Sequence, residues 1–345
     1  MHNPYGRTRA YSPLLVAVLS GATAMAAGVD VAAQTPTTAQ AAAAEPFTRA
    51  DFNQWLDEIS NWGRWGADDE RGTLNLITDE KRRAATQLVA DGVSVSLARD
   101  LNTVQDAVNA NPFEHTLAVS RFSGHEVAGD RYSIQYHGFA HSHVDGLPHF
   151  AHDGKMYNGF PVSGLSTAGA EHLGIHNAQD GIVTRGVLID MARHKGVDFL
   201  EPGTAITVAD LEDWERTTDI RIGAGDVLLI RTGRWEAVRQ LGQWNFVERA
   251  AGAHASVAAW LKARDVAVIG SDGVSDVMPS GVQGLANPLH ELVIVGLGMP
   301  ILDNLDLDAV AEAANERERW EFLFVGAPLR VRGGTGSPLN PLAIF

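Results

Sequence analysis

Residues 137–149 read HGFAHSHVDGLPH and place four of the chain's 13 histidines, together with one aspartate, within 13 residues. In an extended strand, alternate side chains lie on the same face. His137, His141, His143, Asp145 and His149 are all odd-numbered, so a strand here presents four imidazoles and a carboxylate together. An apolar core does not tolerate such polar groups without partners. The stretch therefore predicts a metal centre built on a strand.

The donor types indicate which metals suit this centre. Neutral imidazole nitrogen and carboxylate oxygen are ligands for Mn²⁺ or Zn²⁺, and the residue types do not separate the two ions or one ion from a pair. Such a cation lowers the pKa of a coordinated water from 15.7 to about 7. The sequence contains no G-x-S-x-G, H-E-x-x-H or G-x-x-x-x-G-K motif, which argues against a serine hydrolase, a zinc protease of the H-E-x-x-H type and a P-loop protein. Metal-dependent hydrolysis at the histidine-rich stretch is favoured instead.

Composition excludes several classes of partner and chemistry. The chain has 345 residues, of which 45% are hydrophobic and 20% charged, as is typical of a globular protein. Its net charge of −15 argues against nucleic acid or an anionic membrane as a partner, because both require a basic surface. The chain has no cysteine, so disulfides and thiol chemistry are excluded.

The N-terminal segment has the pattern of an exported protein. Arg7 and Arg9 precede an apolar run that ends in small residues near Ala33, which is the layout of a secretory signal peptide. We expect residues 1–33 to be this peptide and residues 34–46 to be a flexible leader. Residues 47–345 then form one domain, periplasmic or secreted, with no membrane attachment after processing.

Strands and helices are mixed along this domain. Apolar runs bounded by Gly, Asp or Pro predict strands at 115–122, 185–192, 225–232, 266–272 and 322–331. Helical spacing and capping residues predict helices at 207–217, 254–264 and 305–320. The alternation indicates an α/β or α+β domain.

A family resemblance follows from these motifs. SHVDGLPHF (142–150) resembles the H-x-G-T-H-x-D-x-P-x-H signature of the metal-dependent cyclase family, which includes bacterial kynurenine formamidase, isatin hydrolase and trans-dienelactone hydrolase. Further stretches look like longer members of that family: NWGRWGADDERGTLNLIT (61–78), HDGKMYNG (152–159), GSDGVSDVMPSG (270–281), GMPILDNLDL (298–307) and GGTGSPLNPLAI (333–344). The resemblance implies a swivelling β/β/α domain and a homodimer or homotetramer.

The resemblance also implies roles within the motif. His143 and Asp145 match the metal-binding His and Asp of the family, and His149 matches its catalytic His. The family's first metal-binding His stands four residues before His143, where this chain has Phe139. The nearest substitute on the same strand face is His141, and His137 is the second choice.

Two distal ligands are implied further along the chain. His290 and Asp303 match the family's distal His and acidic residue, although the spacing is slightly longer and the acid is Asp rather than Glu. A packed histidine and a helix-capping aspartate are the alternative interpretation of this pair.

These features predict a hydrolase that opens a small cyclic ester or amide: a lactone, an isatin-like ring or an imide-like ring. The alternatives are an arylformamidase acting on N-formylkynurenine and an exported, non-catalytic metal- or metabolite-binding protein. Trp62 and Trp65 are candidates for walls around a flat ring, and Tyr157 and Asn158 for the pocket entrance. Packing on the core is the alternative role of these four residues.

Overall fold

The computed structural model describes residues 48–345 as a single α+β domain with a large curled sheet. This confirms the expected fold class. The predicted signal peptide and leader lie outside the described residues. Among residues 48–345, no helix combines the length and the apolar character needed to cross a bilayer.

The strands, in chain order, are β1 Ser94–Ser96, β2 Glu114–Phe122, β3 His125–Ser133, β4 His143–Asp145, β5 Leu165–Ser166, β6 Gly169–Ala170, β7 Ile182–Asp190, β8 Ala205–Ile206, β9 Val227–Arg231, β10 Gly252–Ala253, β11 Val268–Ser271, β12 Ile301–Asp303, β13 Glu321–Gly326, β14 Gly336–Pro338 and β15 Leu342–Ile344. The helices are α1 Arg49–Glu58, α2 Asp79–Thr86, α3 Met191–His194, α4 Val208–Thr218, α5 Arg234–Leu241, α6 Val257–Ala263, α7 Pro288–His290 and α8 Asp308–Arg317. A π-helix, Glu291–Leu297, continues α7, and short 3-10 turns cover Gly72–Leu76, Tyr157–Gly159, Val162–Gly164 and Ile175–Ala178.

Nine strands form the main sheet in the order β1-β15-β13-β7-β9-β11-β12-β4-β14. The four strands from β7 to β12 are parallel, and the strands on both sides of them join antiparallel. Both faces of the sheet are covered. In β7, Val187 and Ile189 pack in one apolar cluster while Leu188 packs in the other. Burial on both sides explains why the central strands are continuous apolar runs rather than alternating ones.

Most elements predicted from local sequence are confirmed. The five apolar runs overlap β2, β7, β9, β11 and β13, and the three helical segments overlap α4, α6 and α8. Thr207 caps α4 through a capping box with Asp210, as the Thr–acid pattern indicates. The last run is shorter than expected, because β13 ends at Gly326, before Pro328.

The histidine-rich stretch contains less strand than its parity predicts. Only β4, residues 143–145, is extended and paired, and it lies between β12 and β14. Residues 137–142 are irregular, and after Asp145 the chain turns through a Gly146–His149 hydrogen bond. The two-residue period therefore holds for His143 and Asp145 and does not extend to His141 or His149.

Candidate metal centre

The centre of the site is set by the pairing of β4 with β12. The two strands are antiparallel, and their register places His143 directly opposite Asp303. Asp145 lies two residues further along β4, with its Oδ1 atom 3.2 Å from His143 Nε2. His143, Asp145 and Asp303 are each no more than 2% exposed, and one ligand atom of each lies within 4.8 Å of the others.

His290 completes this buried group from a different part of the chain. It is the last residue of α7, at the start of the π-helix, and only 3% of it is exposed. Its Nε2 atom lies 3.3 Å from Asp303 Oδ2 and 3.5 Å from Asp145 Oδ2. The structure therefore brings together His143, Asp145, His290 and Asp303, all of which the sequence suggested as ligands.

Hydrogen bonds on the outer side of two imidazoles orient them. The Nδ1 atom of His143 lies 2.8 Å from the carbonyl oxygen of His141, and Nδ1 of His290 lies 2.5 Å from Asp276 Oδ2. When each Nδ1 carries the proton, each Nε2 presents a lone pair to the carboxylates. Outer partners of this kind fix the tautomer of metal-ligating histidines.

A second group shares Asp145 and lies at the more open side of the site. His137 Nδ1 is 2.7 Å from Asp145 Oδ1, and His149 Nε2 is 3.7 Å from Asp145 Oδ2. The rings of His137 and His149 are stacked 3.7 Å apart and nearly parallel. Their side chains are 24% and 26% exposed, against 2% for that of Asp145. The centre thus has a closed side at His290 and an accessible side at His149.

Two buried ligand atoms of this second group have no hydrogen-bond partner within residues 48–345, which is what a cation site would show without its ion. Asp145 Oδ1 and His137 Nδ1 are both buried without a hydrogen-bond partner in the described part of the chain, although they are only 2.7 Å apart. Two such atoms lack the alignment of a hydrogen bond, which leaves the lone pairs of both available to a cation. Imidazole and carboxylate donors suit a divalent metal ion, so the residues present fit one.

Burial and neighbouring charges shift the pKa values of these groups in opposite directions. Burial raises the pKa of Asp145, but the charge of His143 and the close nitrogens of His137 and His290 outweigh it, so the pKa lies well below its usual range. Burial lowers the pKa of His290, yet Asp145, Asp276 and Asp303 raise it well above 6.5. At His149 burial prevails and lowers the pKa to about 4, so this imidazole is neutral at pH 7.

The structure separates the two candidates for the remaining ligand position. His137, the second choice from sequence, lies against Asp145, whereas His141 belongs to neither group. His141 is 2% exposed, and neither of its ring nitrogens has a hydrogen-bond partner among the described residues. The reason is the short strand: residue 141 precedes β4, so parity does not turn its ring towards Asp145.

The four suggested substrate contacts take part in a scaffold. Tyr157 is fully buried, and its hydroxyl donates to Asp69 Oδ2 over 3.0 Å. The Asn158 amide donates to the backbone oxygens of Gly66, Ala67 and Asp69. These bonds fix the loop that carries the two tryptophans.

The tryptophans of that loop have partners of their own. Trp62 Nε1 donates to the carbonyl oxygen of Val295 over 2.7 Å, and the guanidinium of Arg64 lies 4.7 Å from the Trp65 ring. Trp62 also lines a cleft of about 320 Å³ with His152 and Lys155. A substrate contact by any of the four residues stays a prediction.

Several residues that support the site were not identified from sequence. Asp276 holds His290, and the Ser275 hydroxyl donates to Asp303 Oδ1 over 3.0 Å. Both lie in GSDGVSDVMPSG, a stretch that the resemblance included without giving it a role. The signal that could have found them is the run of Ser and Asp directly after a buried strand.

A buried arginine holds the backbone of the histidine-rich stretch. Arg234 is 3% exposed and donates to the carbonyl oxygen of Phe139 and to Asn304 Oδ1, each over 2.5 Å. Asn304 in turn donates to the carbonyl oxygens of Gly138 and His141. No local pattern marks Arg234, because its partners lie 70 and 95 residues away in sequence.

Comparison with known proteins identifies the family. The family model described as "Putative cyclase" matches residues 72–276, which is more than half of the chain. The crystal structure of a protein described as a novel cyclase superposes with a TM-score of 0.78 at 30% identity, covering 84% of this chain and 99% of that one. The chain belongs to the cyclase family.

Two further cyclase-fold structures are isatin hydrolases. One, bound to the product analogue thioisatinate, has a TM-score of 0.52 at 18% identity and covers 75% of this chain and 94% of that one. Isatin hydrolase A from Ralstonia solanacearum has a TM-score of 0.51 at 23% identity, with 73% and 91% covered. At these identities the likeness shows the fold. No curated protein sequence matches the chain.

Proposed function

We propose that this cyclase-family protein is a metal-dependent hydrolase that opens a small cyclic ester or amide, such as a lactone, an isatin-like ring or an imide. The observation that carries the proposal is the position of His149. This imidazole stands at the accessible edge of a buried His/Asp centre, 3.7 Å from Asp145 and stacked on His137.

The ligands we propose for the metal, Mn²⁺ or Zn²⁺, are His143, Asp145, His290 and Asp303, with His137 on the accessible side. Asp145 is the residue common to both groups, so it would be the bridge if two ions bind. When bound, a divalent cation polarises a carbonyl oxygen and makes water more acidic. Hydrogen bonds from Ser275 to Asp303 and from His290 to Asp276 hold the ligands in place.

His149 supplies the proton transfers. A neutral imidazole within reach of the attacking water accepts its proton and then donates it to the leaving oxygen or nitrogen of the opened ring. The stacked ring of His137 restricts how far the His149 ring can turn. A protein that only stores metal gains nothing from such an imidazole, which favours an enzyme over a binding protein.

Two cavities beside the histidine-rich stretch support a small ring as the substrate. Phe139 lines both: one of about 210 Å³ with His137 and His141, and one of about 620 Å³ with residues 278–287. The second is lined mainly by apolar side chains, most of them from the segment of chain between Asp276 and His290. The isatin hydrolase neighbours share this fold, and their name describes opening of a cyclic amide.

The test is a substrate panel on protein reconstituted separately with Mn²⁺ and Zn²⁺. We expect turnover of lactones, isatin or cyclic imides, and slower turnover of aryl formamides such as N-formylkynurenine. Preference for the formamide would change the proposed activity to arylformamidase. Stoichiometric metal without turnover of any of these substrates would favour the metal-binding alternative.

A further inference from the structure

A cleft of about 320 Å³ lies between helix α1, the loop that carries Trp62, and a turn at residues 152–155. None of its lining residues belongs to the metal centre. Two of its walls come from stretches 61–78 and 152–159, which have no role in that centre. Its volume is in the range of small-molecule sites. We call it the Trp62 cleft.

Trp62 forms a fixed aromatic wall of this cleft. Its Nε1 atom donates to the carbonyl oxygen of Val295 over 2.7 Å, and its ring packs over Gly159, where an added Cβ atom would lie 3.5 Å from the ring. Even so, 38% of the residue stays exposed. The indole is therefore held in one orientation with part of its surface open, and such a surface packs well against another flat ring.

Lys155 lines the cleft from the end of a tight turn. His152 and Lys155 exchange both backbone hydrogen bonds, over 2.8 and 2.9 Å. The two residues between them, Asp153 and Gly154, have φ values of 46° and 75°, as a type I′ turn requires and as an Asp-Gly pair favours. The Lys155 ammonium has no ion pair or hydrogen bond among residues 48–345. A fixed backbone thus carries an unpaired cation at the cleft.

One face of α1 forms a further wall. The lining residues of this wall follow the spacing of a single helix face: Asn53, Leu56, Asp57 and Ser60. In the described part of the chain the Asp57 carboxylate accepts no hydrogen bond and forms no ion pair. Asp153 is a second acidic residue at the cleft, but it lies 3.5 Å from His152 Nε2 and has 89% of its side chain exposed. The acid without a basic neighbour is therefore Asp57.

The cleft combines an unpaired cation, an unpaired carboxylate and an open aromatic surface. Lys155 and Asp57 form no ion pair with each other, so a ligand that carries both charges can pair with each of them. A simple anion would be repelled by Asp57, and a simple cation by Lys155. Because the walls are fixed before a ligand arrives, little ordering is needed on binding.

We propose that the Trp62 cleft binds a small aromatic amino acid. The carboxylate of the ligand contacts Lys155, its ammonium group contacts Asp57, and its flat ring packs on Trp62. The inference is independent of the proposed hydrolase activity, because it uses no residue of the metal centre and its test needs no turnover.

The test measures binding of L-phenylalanine by ligand-observed NMR titration, on protein loaded with Zn²⁺ and on the same protein treated with a chelator. Three related ligands each lack one feature: L-phenylalaninamide the carboxylate, 3-phenylpropionate the ammonium group, and L-leucine the flat ring. Lys155→Met and Asp57→Asn remove the two charges from the cleft. Lys195→Met and Glu58→Gln are the matched controls, because these residues pair with Asp210 and Gln54 and do not line the cleft.

We expect L-phenylalanine to bind with a Kd of about 1 mM or below, with and without the metal. Lys155→Met should weaken binding of L-phenylalanine about tenfold without weakening that of L-phenylalaninamide, which has no carboxylate to lose. Asp57→Asn should likewise weaken binding of L-phenylalanine about tenfold without weakening that of 3-phenylpropionate. L-Leucine should bind about fivefold more weakly than L-phenylalanine, and both control variants should match the unmodified protein.

Three results would overturn the proposal. The first is no binding of L-phenylalanine to the unmodified protein. The second is binding that disappears when the chelator removes the metal, because the amino acid would then occupy the metal centre. The third is equal weakening of L-phenylalanine and L-phenylalaninamide by Lys155→Met, because the effect would then not arise from a contact with the carboxylate.

Discussion

Substitution of Asp276 by Asn tests whether His290 is a metal ligand held in one tautomer. The carboxylate accepts from the backbone N–H of Leu289 over 2.8 Å and lies 2.5 Å from His290 Nδ1. Asn has nearly the same shape but only one acceptor oxygen. If that oxygen keeps the Leu289 bond, the amide NH₂ group faces His290 Nδ1. The imidazole proton then moves to Nε2, the atom that lies nearest Asp145 and Asp303.

The expected loss of metal affinity follows from the role of Asp276, which holds the His290 ring through its Nδ1 atom. Loss of such a partner lowers metal affinity about 10–100-fold, which corresponds to about 1.4–2.8 kcal/mol. We therefore expect Asp276→Asn to weaken Mn²⁺ or Zn²⁺ binding by this factor. The backbone N–H of His290, which donates to Asp276 Oδ2 over 3.2 Å, also loses its acceptor, and this lowers the free energy of unfolding by about 1–3 kcal/mol.

The assay is competitive titration calorimetry with a chelator, paired with urea unfolding of the same preparations. Asp226→Asn is the matched control, because Asp226 is fully buried and accepts from Lys81 and Arg185 rather than from residues of the metal centre. The control should lose stability and keep its metal affinity. Unchanged metal affinity in Asp276→Asn would show that His290 does not bind the ion through an oriented Nε2 atom.

Four other outcomes are expected. His149→Ala should abolish turnover while metal content by elemental analysis stays near that of the unmodified protein; a parallel loss of metal would make His149 a ligand. Asp145→Ala should empty the site, and full occupancy in this variant would exclude its proposed role as a ligand. Because the pKa of His290 is raised in the metal-free protein, the ion displaces its proton, so affinity should fall as pH falls. Titration calorimetry in buffers of different ionisation enthalpy detects the proton released from His290. An enthalpy of metal binding that is the same in all buffers at pH 7 would contradict this release. Arg234→Met leaves the Phe139 carbonyl oxygen and the buried Asn304 amide oxygen without a donor and should lower the free energy of unfolding by about 2–6 kcal/mol, since each unsatisfied acceptor costs about 1–3 kcal/mol. A change below about 1 kcal/mol in urea unfolding would refute the role assigned to this guanidinium.

Local sequence determined the elements and the centre of the motif. Strands β7, β9 and β11 follow from apolar runs, and α4 from a Thr cap with an acidic first turn, because these signals act over a few residues. His143 and Asp145 could be paired from sequence for the same reason: two residues apart in a strand, they share a face. The cyclase resemblance added His290 and Asp303, which the structure places beside them.

Tertiary structure decided the rest. The register of β4 on β12 sets Asp303 against His143, and no local pattern encodes a pairing across 160 residues. Which of His137 and His141 lies beside Asp145 depended on the path of the irregular residues before β4, because tertiary pairing limits β4 to three residues. Asp276, Asn304 and Arg234 meet the motif only after the sheet has assembled. Periodicity is a property of neighbours along the chain, whereas a closed ligand shell depends on side chains that distant segments bring within hydrogen-bond range.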